Sequence, residues 1–167
     1  MKIGTKTLVI GSHQFLLHPI CVFIAWWKLY GFPWDPRLWF AFFLHDIGYW
    51  SCDGIDTKEG VMHPYLGGHM MGKLFGDEWE MFTLFHSREV VGHYYKAQPS
   101  RLCYADKLAA SIMPCWLLTL LTMLSGEIKE YCGNVGYDKA YRKNRAWQAN
   151  QREWVEAQMQ QKGMEAA

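Results

Sequence analysis

No two cysteines of this chain stand in a C-x-x-C spacing. The five, at 21, 52, 103, 115 and 132, are scattered and odd in number. That speaks against a zinc ribbon and a disulfide framework, and it suits a reducing cytoplasmic setting. An excess of charge of one sign is also missing. The formal net charge is +1, so bulk charge gives no argument for nucleic acid as a partner. Uninterrupted apolar runs are too short to span a bilayer, which takes about 20 residues. Phe15–Trp27 carries His18 and Pro19, and Ile112–Leu124 carries Pro114 and two threonines, so both read as buried helices. The start, MKIGTKTLVIGSHQF, lacks the pattern of a secretory leader. Period-2 alternation between hairpin turns is absent as well, which removes the usual evidence for a sheet. Neither internal repeats nor low-complexity tracts occur.

Helical signals are what remain. Half of the 167 residues are hydrophobic, enough for one domain with a real core. Ser12 is a candidate cap for a first helical stretch that Pro19 bends or restarts and that Gly31-Phe32-Pro33 stops. Asp35-Pro36 reads as cap and first helical residue of the next helix, which ends near Gly48. Residues 51–61 are polar and glycine-containing and read as a loop. Helices are expected over Pro64–Phe75, Glu78–Val91 and Leu102–Ile112, the last capped by Ser100, and from Pro114 through Tyr131. A final amphipathic helix over 138–160 gathers Trp147, Trp154, Val155 and Met159 on one broad face. The expectation is an all-α, compact single domain of six to eight helices, with residues 1–133 as its body. Residues 134–167 would be a C-terminal extension packed on that body or on a partner subunit. A homo-oligomer is compatible with this reading.

Seven histidines lie at 13, 18, 45, 63, 69, 86 and 93. His45 and Asp46 close the apolar run FFLHDIGYW, and Asp106 interrupts another in YADKLA. Charged groups are seldom fully buried unless they are paired or bind a metal. Several predicted helices thus each supply one or two polar groups from apolar surroundings, a known way to build a metal site in a helical protein. Imidazole with carboxylate suits zinc, iron, manganese or nickel, whereas magnesium wants mostly oxygen.

The order H…HD…H…H…D resembles the HD-domain superfamily of metal-dependent phosphohydrolases. The resembling pieces are LHDIG at 44–48, HPYLGGHMM at 63–71, FHSRE at 85–89 and YADKLA at 104–109, and they cover about residues 12–112. The resemblance implies an HD-domain-like helical bundle in which His18, His45, Asp46 and Asp106 hold one metal. Asp46 would bridge to a second held by His63 and His86. One or two divalent transition metals (Mn, Fe, Zn, Ni or Co) would then serve a hydrolase acting on a phosphate ester or anhydride of a nucleotide or another small phosphorylated metabolite. Three departures limit the match. The motif continues as Tyr49-Trp50 where many relatives have HDIGK, His86-Ser87 stands where the HD-GYP branch has two adjacent histidines, and the GYP element is absent, so a cyclic-dinucleotide phosphodiesterase is disfavoured. Some HD-fold proteins hold the same ligand order around two irons and cleave C–C or C–P bonds with oxygen; that is the alternative activity. A non-catalytic nucleotide-binding module is the second alternative.

Rival residues exist for several of these roles. His13 competes with His18, but its place beside a predicted cap reads as solvent-exposed. His69 competes with His63; six residues apart, they lie about 240° apart around a helix and do not share a face. Pro64 and Gly67 favour His63, leaving His69 as a pocket or outer contact. His93 competes with His86. With the metal ligands His45 and Asp46, Arg88 and Lys107 are the expected catalytic groups, each within two residues of a proposed ligand and suited to grip a phosphate. Tyr49 and Trp50 are candidate pocket aromatics, with substrate binding assigned to them and to His69, Arg88 and Lys107. Glu127 and Glu130 read as a solvated helix face.

Overall fold

The computed structural model describes residues 1–163, and among these no strand is formed. The helices are α1 (Ile3–Ile10), α2 (Leu17–Tyr30), α3 (Pro36–Leu44), α4 (Lys58–Val61), α5 (Pro64–Phe75), α6 (Asp77–Leu84), α7 (Arg88–Val90), α8 (Arg101–Ile112), α9 (Cys115–Ser125), α10 (Ile128–Cys132) and α11 (Tyr137–Gln161). Among the described residues eight of these have eight or more residues, and the others are single turns. The fold is an all-α single domain.

Local chemistry explains where the helices start and stop. The Asp35 carboxylate accepts from the Arg37 amide at 2.9 Å and Pro36 opens α3, as cap and first residue should. Pro19 falls in the first turn of α2, where its missing N–H costs nothing. Helix α2 starts at Leu17 rather than after Ser12, since residues 11–16 form turns, and residues 3–10 form a separate α1 that no sequence signal above marks. The expected helix over Glu78–Val91 is broken. The His86 amide turns back to Thr83 O at 3.2 Å, and Ser87, extended in its backbone, caps α7 with its hydroxyl. The expected helix from Pro114 to Tyr131 is broken at Gly126, whose φ of +90° is open to glycine and strained for other residues. Both breaks matter, since one delivers His86 and the other delivers Glu127 to the interior.

The main core joins Val22, Ala25 and Trp26 of α2 to Leu38 and Phe42 of α3, with Met71 of α5 and Leu102 and Ala105 of α8 behind them. Helix α5 lies along α6, and α2 lies along α8. Two glycines allow backbones to touch. A Cβ on Gly67 would run into the carbonyl oxygen of Leu44, and one on Gly48 would run into that of His63. The end of α3 and the start of α5 are therefore in direct main-chain contact.

Helix α11 crosses α8 and α9. Its inward face, Ala140, Asn144, Gln148, Gln151, Val155 and Met159, has helical spacing but is half polar. The polar members are satisfied where they can be. Gln148 Nε2 donates to Ala110 O at 2.6 Å and Met113 O at 2.8 Å, at the end of α8. Asn144 Nδ2 donates to the Thr119 and Thr122 hydroxyls of α9, both at 3.2 Å. Val155 and Met159 complete a small cluster with Leu29 and Tyr104. Trp147, expected on the inward face, is exposed.

Candidate metal centre

Six side chains from five segments meet in the interior: His18 from α2, His45 and Asp46 after α3, His63 before α5, His86 after α6 and Asp106 from α8. All six are buried. They form two groups that could each hold a metal ion: His18, His45, Asp46 and Asp106 in one, Asp46, His63 and His86 in the other. Asp46 belongs to both, and its two oxygens divide the work. Oδ2 lies 3.2 Å from His18 Nε2 and 3.2 Å from His45 Nε2, while Oδ1 lies 3.3 Å from His63 Nε2 and 3.4 Å from His86 Nε2. Asp106 Oδ1 closes the first group at 3.0 Å from His18 Nε2.

The donor atoms fit a metal better than they fit one another. His45 Nδ1 donates to Phe42 O at 2.9 Å, His63 Nδ1 to Gly60 O at 2.6 Å and His86 Nδ1 to Thr83 O at 2.7 Å. A neutral imidazole with its hydrogen on Nδ1 keeps a lone pair on Nε2, and a carbonyl behind the ring is the usual second partner of a ligating histidine. Yet His63 Nε2 and His86 Nε2 stand 3.1 Å apart, and His18 Nε2 and His45 Nε2 3.2 Å apart. Two nitrogens each about 2.1 Å from one ion have such a separation. Asp46 Oδ2 is buried and in hydrogen-bonding alignment with neither neighbouring ring.

The electrostatics of the ion-free cluster show the same pressure. Burial alone would raise the Asp46 carboxyl, but the charges of His45 and His13 hold it well below the usual carboxylate range. Burial would likewise raise Asp106, and Lys107 and His18 hold it well below that range. For His45, burial pulls down, but Asp46 and Asp106 prevail and lift it to about 10. Burial wins at His86, which falls to about 4. A proton on His45 thus stands in for the positive charge that an ion would bring.

A cavity of about 550 Å³ reaches the cluster at His63 and is bounded further by Tyr49, Ser87, Arg88 and Lys107 on one side and by α11 on the other. Tyr49 is buried and stacks on His63 with centroids 4.0 Å apart. Lys107 Nζ reaches Asp106 Oδ2 at 2.6 Å, so this cation is bound to the ligand set itself. Arg88 lines the cavity but is also engaged by α11, its guanidinium over the Trp154 ring at 4.5 Å and 3.3 Å from Gln151 Oε1. Trp50 and His69 are exposed and border no part of the cavity, so the structure separates them from the site they were expected to line. Both project from turns whose inner positions are taken by Tyr49 and by Gly67 and Gly68.

Three residues were read otherwise in the sequence. His13 borders the cavity rather than solvent alone. Its Nδ1 lies 2.9 Å from both the Thr7 and Ser12 hydroxyls, and burial lowers its pKa to about 3. Glu127 is only 1% exposed. Its carboxylate accepts from the Ser12 amide at 3.0 Å, from the Ser12 hydroxyl and from the Ser125 hydroxyl at 2.7 Å. Glu130 accepts from the amides of Ile55 and Asp56 and so pins the loop after the HD doublet to α10. Only the helix-breaking Gly126 hinted at this. Without it, the pattern SGEIKEY reads as one exposed helix face.

The structure therefore shows a helical protein with a buried His/Asp cluster suited to metal, an arrangement compatible with an HD-like site. Neither a protein-family model, nor a curated protein, nor a solved structure matches the chain.

Proposed function

We propose that the protein is a dinuclear metal-dependent phosphohydrolase of the HD type, acting on a small phosphate ester or anhydride such as a nucleotide. The observation that supports this reading is the Asp46 carboxylate, one oxygen turned to each histidine pair. Divalent transition ions held there would supply Lewis-acid polarisation and a water acidified toward neutral pH. His18, His45 and Asp106 would hold one ion and His63 and His86 the other, with Asp46 belonging to both groups. Lys107 keeps Asp106 ionised and in place, and its ammonium is a positive charge held beside the ligand set for oxygens on which charge develops. Arg88 supplies a second cation at the cavity wall, held in one orientation by Trp154 and Gln151. Tyr49 packs the His63 ring in place. The reading is supported by the cavity's volume of about 550 Å³, which is in the range of small-molecule sites.

The test is elemental analysis of protein purified without chelator, followed by phosphate release from a panel of nucleotides and sugar phosphates. Two ions per chain, chiefly manganese, zinc or nickel, with turnover lost in Asp46→Ala, is the expected result. Full turnover in Asp46→Ala overturns the proposal. Two irons with consumption of oxygen by an organic substrate would replace the hydrolase with the oxygenase. Tight nucleotide binding without product would leave a binding module.

A further inference from the structure

The corner between α2 and α3 carries an apolar surface that the fold leaves uncovered. Along α2 the positions 16, 20, 23 and 27 follow one another at helical spacing, and Leu16, Ile20 and Trp27 are exposed at 62%, 49% and 53%. The stripe continues into the connecting turn. Phe23 stacks on Trp39 with centroids 4.8 Å apart, Trp27 meets Phe32 at 5.7 Å, and Phe32 meets Trp34 at 4.6 Å. Trp34 stands out furthest, at 84% exposure. Side chains of this size expose roughly 800 Å² together. The largest apolar patch of a typical monomer is about 300–600 Å².

We infer that this corner is the two-fold interface of a homodimer, with Trp34 of each copy laid against the α2 stripe of the other. Area is the first argument, since a standard interface buries about 800 Å² per partner. Composition is the second. Interface centres are rich in tryptophan and phenylalanine and poor in charge, and tryptophan is a frequent energetic hot spot. Charge is the third. Asp35 and Arg37, in the turn of the corner, neutralise each other in an ion pair at 2.6 Å, so covering them requires no counter-charge from the partner. A lipid surface is the less favoured cover, because helices that lie on membranes carry basic residues along their polar face, and α2 has only Lys28. Rigidity is the fourth. Pro33, Pro36 and the Asp35 cap fix the turn before any partner arrives, so association orders little new chain.

The experiment is sedimentation equilibrium of the metal-loaded full chain from about 0.1 to about 100 µM, a range that reaches the weak, micromolar end of the affinities such areas give. The wild type is expected at twice its 19.5 kDa chain mass. Trp34→Glu is expected to weaken association at least tenfold while circular dichroism and metal content stay unchanged, since the ring it removes is exposed. Trp27→Glu serves as a second variant on the stripe. A wild type that stays at single-chain mass throughout overturns the inference, as does a dimer that both variants leave intact. Flotation of a monomeric wild type with neutral phosphatidylcholine vesicles would assign the corner to lipid instead.

Discussion

His63 Nε2 and His86 Nε2 face each other across 3.1 Å, and each ring has its Nδ1 hydrogen committed to a backbone carbonyl three residues upstream. Two lone pairs so placed repel. A cation between them turns that repulsion into attraction, so stability and metal content should be linked.

Chelation is therefore expected to lower the melting temperature. An ion at about 100 times its dissociation constant adds about 2.7 kcal/mol, or roughly 5–10 °C for a chain of this size. Scanning calorimetry with and without a chelator measures it, and equal midpoints would count against the site.

The two positions should be separable by mutation. Asp46→Ala removes the shared ligand and is expected to reduce bound metal from two ions to none. Asp106→Ala touches one group only and is expected to leave one ion, at His63 and His86. Elemental analysis of each purified variant decides, with circular dichroism as the control for folding.

Metal loading should release protons. In the ion-free cluster His45 titrates near 10, well above its ordinary 6.5, so it is protonated at neutral pH and must lose that proton to bind an ion. The sign is fixed by the raised value. What His45 contributes to the stability of the metal-free protein is full below about 6.5 and is lost as pH rises toward about 10. Metal affinity moves oppositely and strengthens with rising pH. Titration calorimetry in buffers of different ionisation enthalpy counts the protons.

Glu127→Ala should destabilise the fold by about 2–4 kcal/mol, because the Ser12 amide and two hydroxyls lose their acceptor in a buried place. Glu127→Gln keeps one acceptor oxygen and should cost less. Urea denaturation of both variants distinguishes them.

Gln148→Leu should cost about 2 kcal/mol although the replacement is apolar and similar in size. It strips the donor from two carbonyls at the end of α8, Ala110 and Met113. A neutral effect in urea denaturation would mean that water takes over both carbonyls.

The all-α class, the start of α3 and both boundaries of α5 were legible because proline, aspartate and glycine mark them with local chemistry, whereas α3 ends at Leu44, short of the expected Gly48. The six candidate ligands were legible as a set only through the resemblance in the order H…HD…H…H…D, although His45, Asp46 and Asp106 are also conspicuous as polar residues inside apolar runs. His13 and Glu127 were not, because each depends on a contact between distant parts of the chain, Ser12 with Glu127, which periodicity does not encode. Trp50 and His69 misled for the same reason: nearness in sequence to a ligand says nothing about which side of a turn a ring takes. The buried face of α11 was half hidden, since its asparagine and glutamines look like solvent-facing residues until the carbonyls and hydroxyls they serve are seen.

Gly67 and Gly48 give the cluster a property that no ligand provides. Because main chain rests on main chain where α3 meets α5, the span between the two histidine pairs is a fixed gauge, cut in backbone. Exchanging side chains around this gauge would change which ions the cluster could hold but hardly the spacing of the two groups. A lineage adapting this frame to longer or bulkier ligands would have little room to alter the floor of the cavity. Its variation should collect instead on the opposite wall, where α11 offers positions that can change without moving the gauge.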